Sequence, residues 1–109
     1  DKRMLVPEQA AEVRRQRGLL RSNAAQVQIA AENWAQAAEL ARAAIADDPD
    51  SVKPRYRLAR AQVGLCAWDD AARTVDDALS SIAGGGGAAD DMRLELWKLA
   101  EEIAKALPS

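Results

Sequence analysis

The chain has 109 residues, a formal net charge of −2 and 49% hydrophobic residues, enough apolar material for one domain with a modest core. This mildly acidic total argues against general nucleic-acid binding, which requires a strongly basic domain, and no apolar run approaches the roughly 20 residues of a membrane span. The single cysteine, Cys66, excludes an internal disulfide and is typical of a reducing compartment, so we expect a cytoplasmic protein.

Alanine is abundant and phenylalanine is absent, which favours helices packed close together over a sandwich or barrel. The first predicted helix starts at Pro7 and runs to about Ala31, because proline is accepted in the first turn. Gly18 is expected to interrupt or bend it, at a cost of about 1 kcal/mol relative to alanine. Asn33 is the predicted N-cap of the second helix. Residues three and four apart give that helix one buried stripe: Trp34, Ala37, Ala38, Ala41, Ala44 and Ile45.

The sequence DDPDS at residues 47–51 predicts the end of the second helix and the start of the third. The residue before a proline resists the α region, so the Asp-Pro pair closes the second helix. Ser51 is the predicted cap of the third helix, Pro54 lies in its first turn, and the helix runs to about Cys66. Its predicted buried residues are Tyr56, Ala59, Val63 and Cys66.

A fourth helix follows, with a buried stripe of Trp68, Ala71, Ala72, Val75, Ala78, Leu79 and Ile82. The run GGGG at 84–87 is predicted to be a flexible breaker, since consecutive glycines are too permissive for regular structure. The last helix, about 89–107, is charged on one side and apolar on the other: Met92, Leu96, Leu99, Ile103 and Leu107. We expect it to be the solubilising cap of a stack of helices.

The sequence repeats itself at an interval of 34 residues. Trp34 aligns with Trp68, and each tryptophan opens the second helix of its unit and is expected to pack between helices. Smaller residues align at the same interval: Ala25 with Ala59, Ala37-Ala38 with Ala71-Ala72, Ala44 with Ala78 and Ile45 with Leu79. Two helix-turn-helix units of equal length therefore follow each other.

This pattern resembles the tetratricopeptide repeat family over roughly residues 18–83. The family's small residues and closing proline stand here as Ala37, Ala44 and Pro49, then as Ala59, Ala71 and Ala78, with Ala83 in place of the second closing proline. The resemblance implies an all-α fold of antiparallel helix-turn-helix repeats stacked into a superhelix. Its expected divisions are a helical extension at 1–17, repeats at 18–51 and 52–83, a glycine-rich linker at 84–88 and a capping helix at 89–107.

Three polar residues stand where one branch of this family holds its peptides. In co-chaperones related to the immunophilins, a carboxylate clamp grips the C-terminal carboxylate of a heat-shock chaperone with an Asn from one repeat and a Lys and an Arg from the next. Asn23, Lys53 and Arg57 match these positions in identity and spacing. The resemblance implies a module that binds the acidic C-terminal peptide of a cytosolic heat-shock chaperone and needs no cofactor.

The chemistry of these residues suits a carboxylate ligand. Lys53 and Arg57 are one helical turn apart, and Asn23 lies one repeat before Arg57, so the three are expected to face one groove. Arg60 is expected to extend the basic strip, and Gln26 to hydrogen-bond the peptide backbone from the neighbouring helix. The family's full clamp also takes a Lys and an Asn from a preceding repeat, for which residues 1–17 offer no match.

Other interpretations remain open. Basic residues at this spacing are by default a solvated helix face. The repeats are alternatively a scaffold for another protein or for self-association, because the unmatched first repeat leaves an apolar helix side to be covered. The sequence begins at Asp1, so we expect a fragment of a longer protein, which can carry an enzyme domain such as a prolyl isomerase.

The remaining polar residues indicate no enzyme, metal or nucleic-acid site. The chain has no His, and no Ser or Cys stands beside a base, so we expect no catalytic activity of its own. The acidic pairs are expected to complement helix dipoles, and none has calcium-loop spacing: Asp47-Asp48, Asp69-Asp70, Asp76-Asp77 and Asp90-Asp91. The N-terminal arginines lack interleaved aromatic residues and are expected to form a solvated or partner surface: Arg14, Arg15, Arg17 and Arg21.

Overall fold

The computed structural model describes residues 6–84 and 90–107 of the chain. Within these ranges five helices follow one another: α1 (Pro7–Ala30), α2 (Trp34–Asp47), α3 (Lys53–Gly64), α4 (Trp68–Ala83) and α5 (Asp90–Ala106). Consecutive helices pack against each other from α1 to α5, and α3 also contacts α1 and α5. The helices therefore form a stack of two hairpins closed by α5, and the predicted all-α helical-repeat fold is confirmed.

The same turn ends α1 and α3. The second residue after each helix is left-handed, with φ of 60° at Glu32 and 58° at Cys66. Backbone N–H groups at these turns close a Schellman motif: Glu32 to Ile29, Asn33 to Gln28, Cys66 to Val63 and Ala67 to Gln62. The 34-residue repeat of the sequence is therefore also a repeat of backbone geometry. Because Cys66 lies in this turn, it is exposed, and the prediction that it is buried at the end of the third helix is wrong.

One predicted helix cap is confirmed in position and the other is wrong. Asn33 is the N-cap residue of α2, but its side chain donates a 2.8 Å hydrogen bond to Oε1 of Gln28 and makes no cap hydrogen bond to the helix. The residue before α3 is Val52, not Ser51, and Val52 provides no side-chain cap. The carbonyl of Ser51 instead accepts a 2.8 Å hydrogen bond from Nη1 of Arg55. Neither bond reaches the N–H groups of the first helical turn, so α2 and α3 begin without a side-chain cap.

Two glycines allow helices to approach closely. Helix α1 runs unbroken through Gly18, which is buried, and a Cβ there would lie 3.1 Å from Cβ of Asp47 in α2. The predicted interruption is therefore wrong, because Gly18 serves a helix contact. At the end of α3, the indole ring of Trp34 occupies the space where a Cβ on Gly64 would lie. This contact locks the start of α2 onto the end of α3.

Two clusters of buried residues hold the stack together. One joins the first three helices: Ala25, Ile29, Ala37, Ala38, Ala41, Leu58 and Ala61. The other joins the last three and the residue before α3: Val52, Ala59, Ala71, Val75, Ala78, Ile82, Leu96, Leu99 and Ile103. Most of the predicted stripe alanines lie in these clusters with Val75 and Ile82, whereas Ile45, Val63, Ala72 and Leu79 are only partly buried against them. Trp34, Tyr56 and Trp68 are half-buried and pack against the same clusters.

Helix α5 covers the open side of the second hairpin. Leu96, Leu99 and Ile103 are buried there, whereas Met92 and Leu107 are partly buried against the same cluster. Gly84 is the residue that follows α4. The rest of the predicted glycine breaker and linker, residues 85–88, lies outside the described residues, as does residue 89, the predicted start of the capping helix.

Candidate functional site

The predicted basic residue Arg57 contacts α1 directly. Its Nη1 donates a 2.6 Å hydrogen bond to Oγ of Ser22 and a longer one, 3.4 Å, to Oδ1 of Asn23. The donor and its two acceptors lie on the first helices of successive repeats, 34 and 35 residues apart. The structure thus brings Asn23 and Arg57 together as the repeat spacing predicts. Ser22, which is buried, is a further partner that sequence reasoning missed.

Arg57 is held in place by α1 and stays charged. Partial burial lowers the pKa of Arg57 from its ordinary value, but an arginine side chain remains protonated in proteins. Both hydrogen bonds to α1 use Nη1, and a guanidinium carries five N–H donors in a rigid fork. Arg57 is therefore held on one nitrogen and retains donors for an incoming carboxylate.

Lys53 lies one turn before Arg57 and is exposed. It borders a small cavity of about 70 Å³ between α1, the end of α2 and the start of α3, together with Ser22, Pro54 and the acidic Asp48. In the part of the chain that the structure describes, no carboxylate is paired with Lys53. Lys53 and Arg57 are thus linked through Ser22, which lines the cavity beside Lys53 and accepts the hydrogen bond from Arg57.

Arg60 has an internal partner, which the sequence did not indicate. Its Nη1 lies 3.3 Å from Oε2 of Glu102 on α5, so the capping helix reaches the basic strip. Tyr56 is half-buried beside this pair, and burial, with smaller effects from Glu95 and Glu102, raises the pKa of its phenol. The predicted Arg60 therefore faces α5, and a ligand acid at this position has to compete with Glu102.

Gln26, the remaining predicted site residue, is exposed on α1 one turn after Ser22. Its side chain is available to solvent, and no contact brings it to Arg57 or Arg60 within the described chain. The α1–α3 groove, defined here by Ser22, Asn23, Lys53 and Arg57, is therefore the compact part of the predicted site. Gln26 and Arg60 lie further along the same two helices.

Some arginines of the N-terminal cluster form ion pairs within the fold. Arg17 and Arg21 each lie 2.8 Å from a carboxylate oxygen of Asp47, which is buried at the end of α2. The hydrogen bond from Arg17, with smaller contributions from Arg21, holds the pKa of Asp47 below its ordinary value. Arg15 pairs with Glu12 within α1. Asp47 was expected to serve a helix dipole, but it instead ties α1 to α2.

Two further findings bear on the kind of site. The described residues contain no group of three or more His, Cys, Asp or Glu side chains arranged to hold a metal ion. None of the helices in the described ranges is long and apolar enough to cross a membrane.

One comparison with known proteins gives a match. The model of a family described as "Tetratricopeptide repeat" matches residues 28–84, which include all of α2, α3 and α4. No curated protein and no solved structure matches the chain. The family match covers more than half of the chain and includes Lys53, Arg57 and Arg60, whereas Ser22 and Asn23 precede it.

Proposed function

This chain belongs to the tetratricopeptide repeat family, whose repeats generally mediate protein–protein interaction, and we propose that its α1–α3 groove binds an acidic peptide through the peptide's free C-terminal carboxylate. The observation that carries the proposal is the position of Arg57. It is held against Ser22 and Asn23 of the preceding repeat, with Lys53 one turn away. The resemblance to carboxylate-clamp co-chaperones suggests the C-terminal tail of a cytosolic heat-shock chaperone as the partner.

The charges in the groove suit a terminal carboxylate. An arginine binds both oxygens of a carboxylate through parallel N–H donors, and these charge-assisted bonds are stronger than neutral ones. Lys53 adds a compact positive charge without fixed geometry. Asn23 already accepts from Arg57 through Oδ1, so its amide nitrogen remains as a donor toward the ligand. The three groups therefore supply donors to one anionic end.

The rest of the peptide is proposed to run along the two helices. Gln26 offers an amide side chain to the peptide backbone from α1. An acidic side chain of the peptide replaces Glu102 as the partner of Arg60. Because the Arg60–Glu102 pair is partly exposed, its loss costs little, typically about 0.2–1 kcal/mol.

A double substitution tests this proposal. Lys53→Ala with Arg57→Ala removes both cations from the groove, and we expect binding of an acidic peptide ending in Glu-Glu-Val-Asp to be lost in calorimetric titration. The matched control is Arg42→Ala with Arg73→Ala, which removes the same charge from exposed positions on α2 and α4. We expect the control to bind within about twofold of the parent chain, because exposed charges outside the groove contribute little.

Loss of binding in the groove variant can be distinguished from a folding defect. Circular dichroism is expected to show the same helix content for both double variants, since neither pair of residues lies in the buried clusters. Equal binding by the groove variant and the control would contradict the proposal.

A further inference from the structure

Helix α1 and the residue before it carry an apolar ridge on the side that faces away from the stack. The ridge consists of four large side chains at seven-residue intervals, each half or more exposed: Val6 50%, Val13 51%, Leu20 70% and Val27 63%. The side of α1 turned toward the other helices is different, since its buried residues are Gly18, Ser22, Ala25 and Ile29. Residues seven apart lie nearly in line along a helix, so these side chains form one continuous apolar strip.

The opposite end of the stack has an apolar groove between α4 and α5. It encloses about 340 Å³ and is bordered by Val75 and Leu79 of α4 and by Trp97 and Ile103 of α5. Trp97 is 57% exposed although it is the largest side chain of the groove. Both ends of the stack therefore present large apolar surface to solvent, which soluble monomers seldom do over extended areas.

The charges at the two ends are opposite. Helix α1 has four arginines against two glutamates, and because Arg17 and Arg21 share Asp47 of α2, a small positive excess remains at this end. Helix α4 has four aspartates against one arginine. Asp76 itself borders the α4–α5 groove. An apolar ridge on a basic helix thus complements an apolar groove beside an acidic helix.

We propose that copies of this chain associate head to tail, with the α1 ridge of one copy seated in the α4–α5 groove of the next. Opposite charges favour this pairing and steer its encounter. Pairing of two α1 ridges is disfavoured, because it would bring together two helices that each carry more arginines than glutamates. The proposed contact is heterologous, so each copy keeps one unused surface and the assembly grows with concentration.

Two variants that block opposite surfaces test this arrangement. Leu20→Glu places an acid at the centre of the ridge, and Trp97→Lys places a base in the groove; both positions are more than half exposed, so the fold is expected to tolerate them. In sedimentation, the apparent mass of the parent chain is expected to rise above 11.7 kDa as its concentration increases. This rise is expected to be smaller in high salt. Each variant alone is expected to sediment as a monomer of about 11.7 kDa.

The mixture of the two variants is the decisive arm. Leu20→Glu retains an intact groove and Trp97→Lys an intact ridge, so an equimolar mixture is expected to form a dimer that cannot extend. A parent chain that stays monomeric at all concentrations would overturn the inference. Association of Trp97→Lys alone would also overturn it, because it would indicate ridge-to-ridge pairing. Association of Leu20→Glu alone would do so by indicating groove-to-groove pairing, and so would a mixture that remains monomeric. Circular dichroism of each variant confirms that the helices are intact.

Discussion

Nη1 of Arg57 on α3 donates a 2.6 Å hydrogen bond to Oγ of Ser22 on α1, one residue before the Asn23 that the repeat spacing indicates. Ser22 is only 3% exposed, so its hydroxyl is a fixed acceptor between two helices. An arginine held in this way loses less side-chain freedom when a ligand binds than one that moves freely. Ser22 therefore acts on the groove by positioning Arg57.

Ser22→Ala is expected to weaken binding of an acidic peptide severalfold. Loss of the hydroxyl frees Arg57, and ordering one such side chain on binding costs about 0.5–1.5 kcal/mol. Calorimetric titration measures the change, with Ser80→Ala on the exposed face of α4 as the matched control. An affinity equal to that of the control would show that Ser22 does not position Arg57 for binding.

Glu102→Gln is expected to strengthen binding of the same peptide. The substitution removes the carboxylate that competes for Arg60, and an exposed pair of this kind is worth about 0.2–1 kcal/mol, or at most about fivefold in affinity. Glu101→Gln, on the neighbouring exposed residue, removes the same charge without releasing Arg60. If both variants bind the peptide more tightly by the same factor, the effect comes from net charge, and Arg60 does not contact the peptide.

Gly64→Ala is expected to destabilise the fold by about 1–3 kcal/mol, because overpacking against a ring forces side chains and backbone to shift. The added methyl would overlap the indole of Trp34. Gly84→Ala is the control, since its φ is −76° and a Cβ there would make only ordinary contacts, the nearest at 3.6 Å. That change is expected to be neutral or stabilising by up to about 1 kcal/mol in urea unfolding. Equal stabilities would show that Trp34 does not pack on Gly64 in solution.

The Asp47 carboxylate is expected to make stability sensitive to acid. Its pKa is lowered in the folded chain, chiefly by the hydrogen bond from Arg17, so its contribution is fully present above the ordinary carboxyl value of 3.8 and is lost as pH falls through the lower folded value. Asp47→Asn is expected to lower the thermal midpoint at pH 7 and to reduce its change below pH 4. Asp50→Asn, at an exposed position, is expected to keep the midpoint and pH profile of the parent chain. Identical profiles for the two variants would contradict a role for Asp47.

The helices could be predicted because they depend on local features. Proline in the first turns of α1 and α3, the Asp-Pro pair after α2 and alanine at spacings of three and four all act within one helix. The 34-residue interval then placed Arg57 beside Asn23, although the two helices are far apart in sequence. Repetition carries long-range information because equivalent helices occupy equivalent places in the stack.

The incorrect predictions concern contacts that no local pattern specifies. Gly18 is a poor helix residue by propensity, but its value lies in the approach of Asp47 from another helix. Cys66 fits an apolar stripe, yet the Schellman turn after α3 places it in solvent. The Arg60–Glu102 pair joins residues 42 apart across a glycine-rich segment, and nothing in either local sequence indicates it.

The central claim is that the α1–α3 groove recognises a terminal carboxylate, and titration with one acidic peptide in two forms tests it most directly. The peptide ends in Glu-Glu-Val-Asp, once with a free C terminus and once amidated. We predict binding of the free form, weakened by salt because the contact is led by charge, and no measurable binding of the amidated form. Equal binding of both forms, or binding of neither, would contradict the claim.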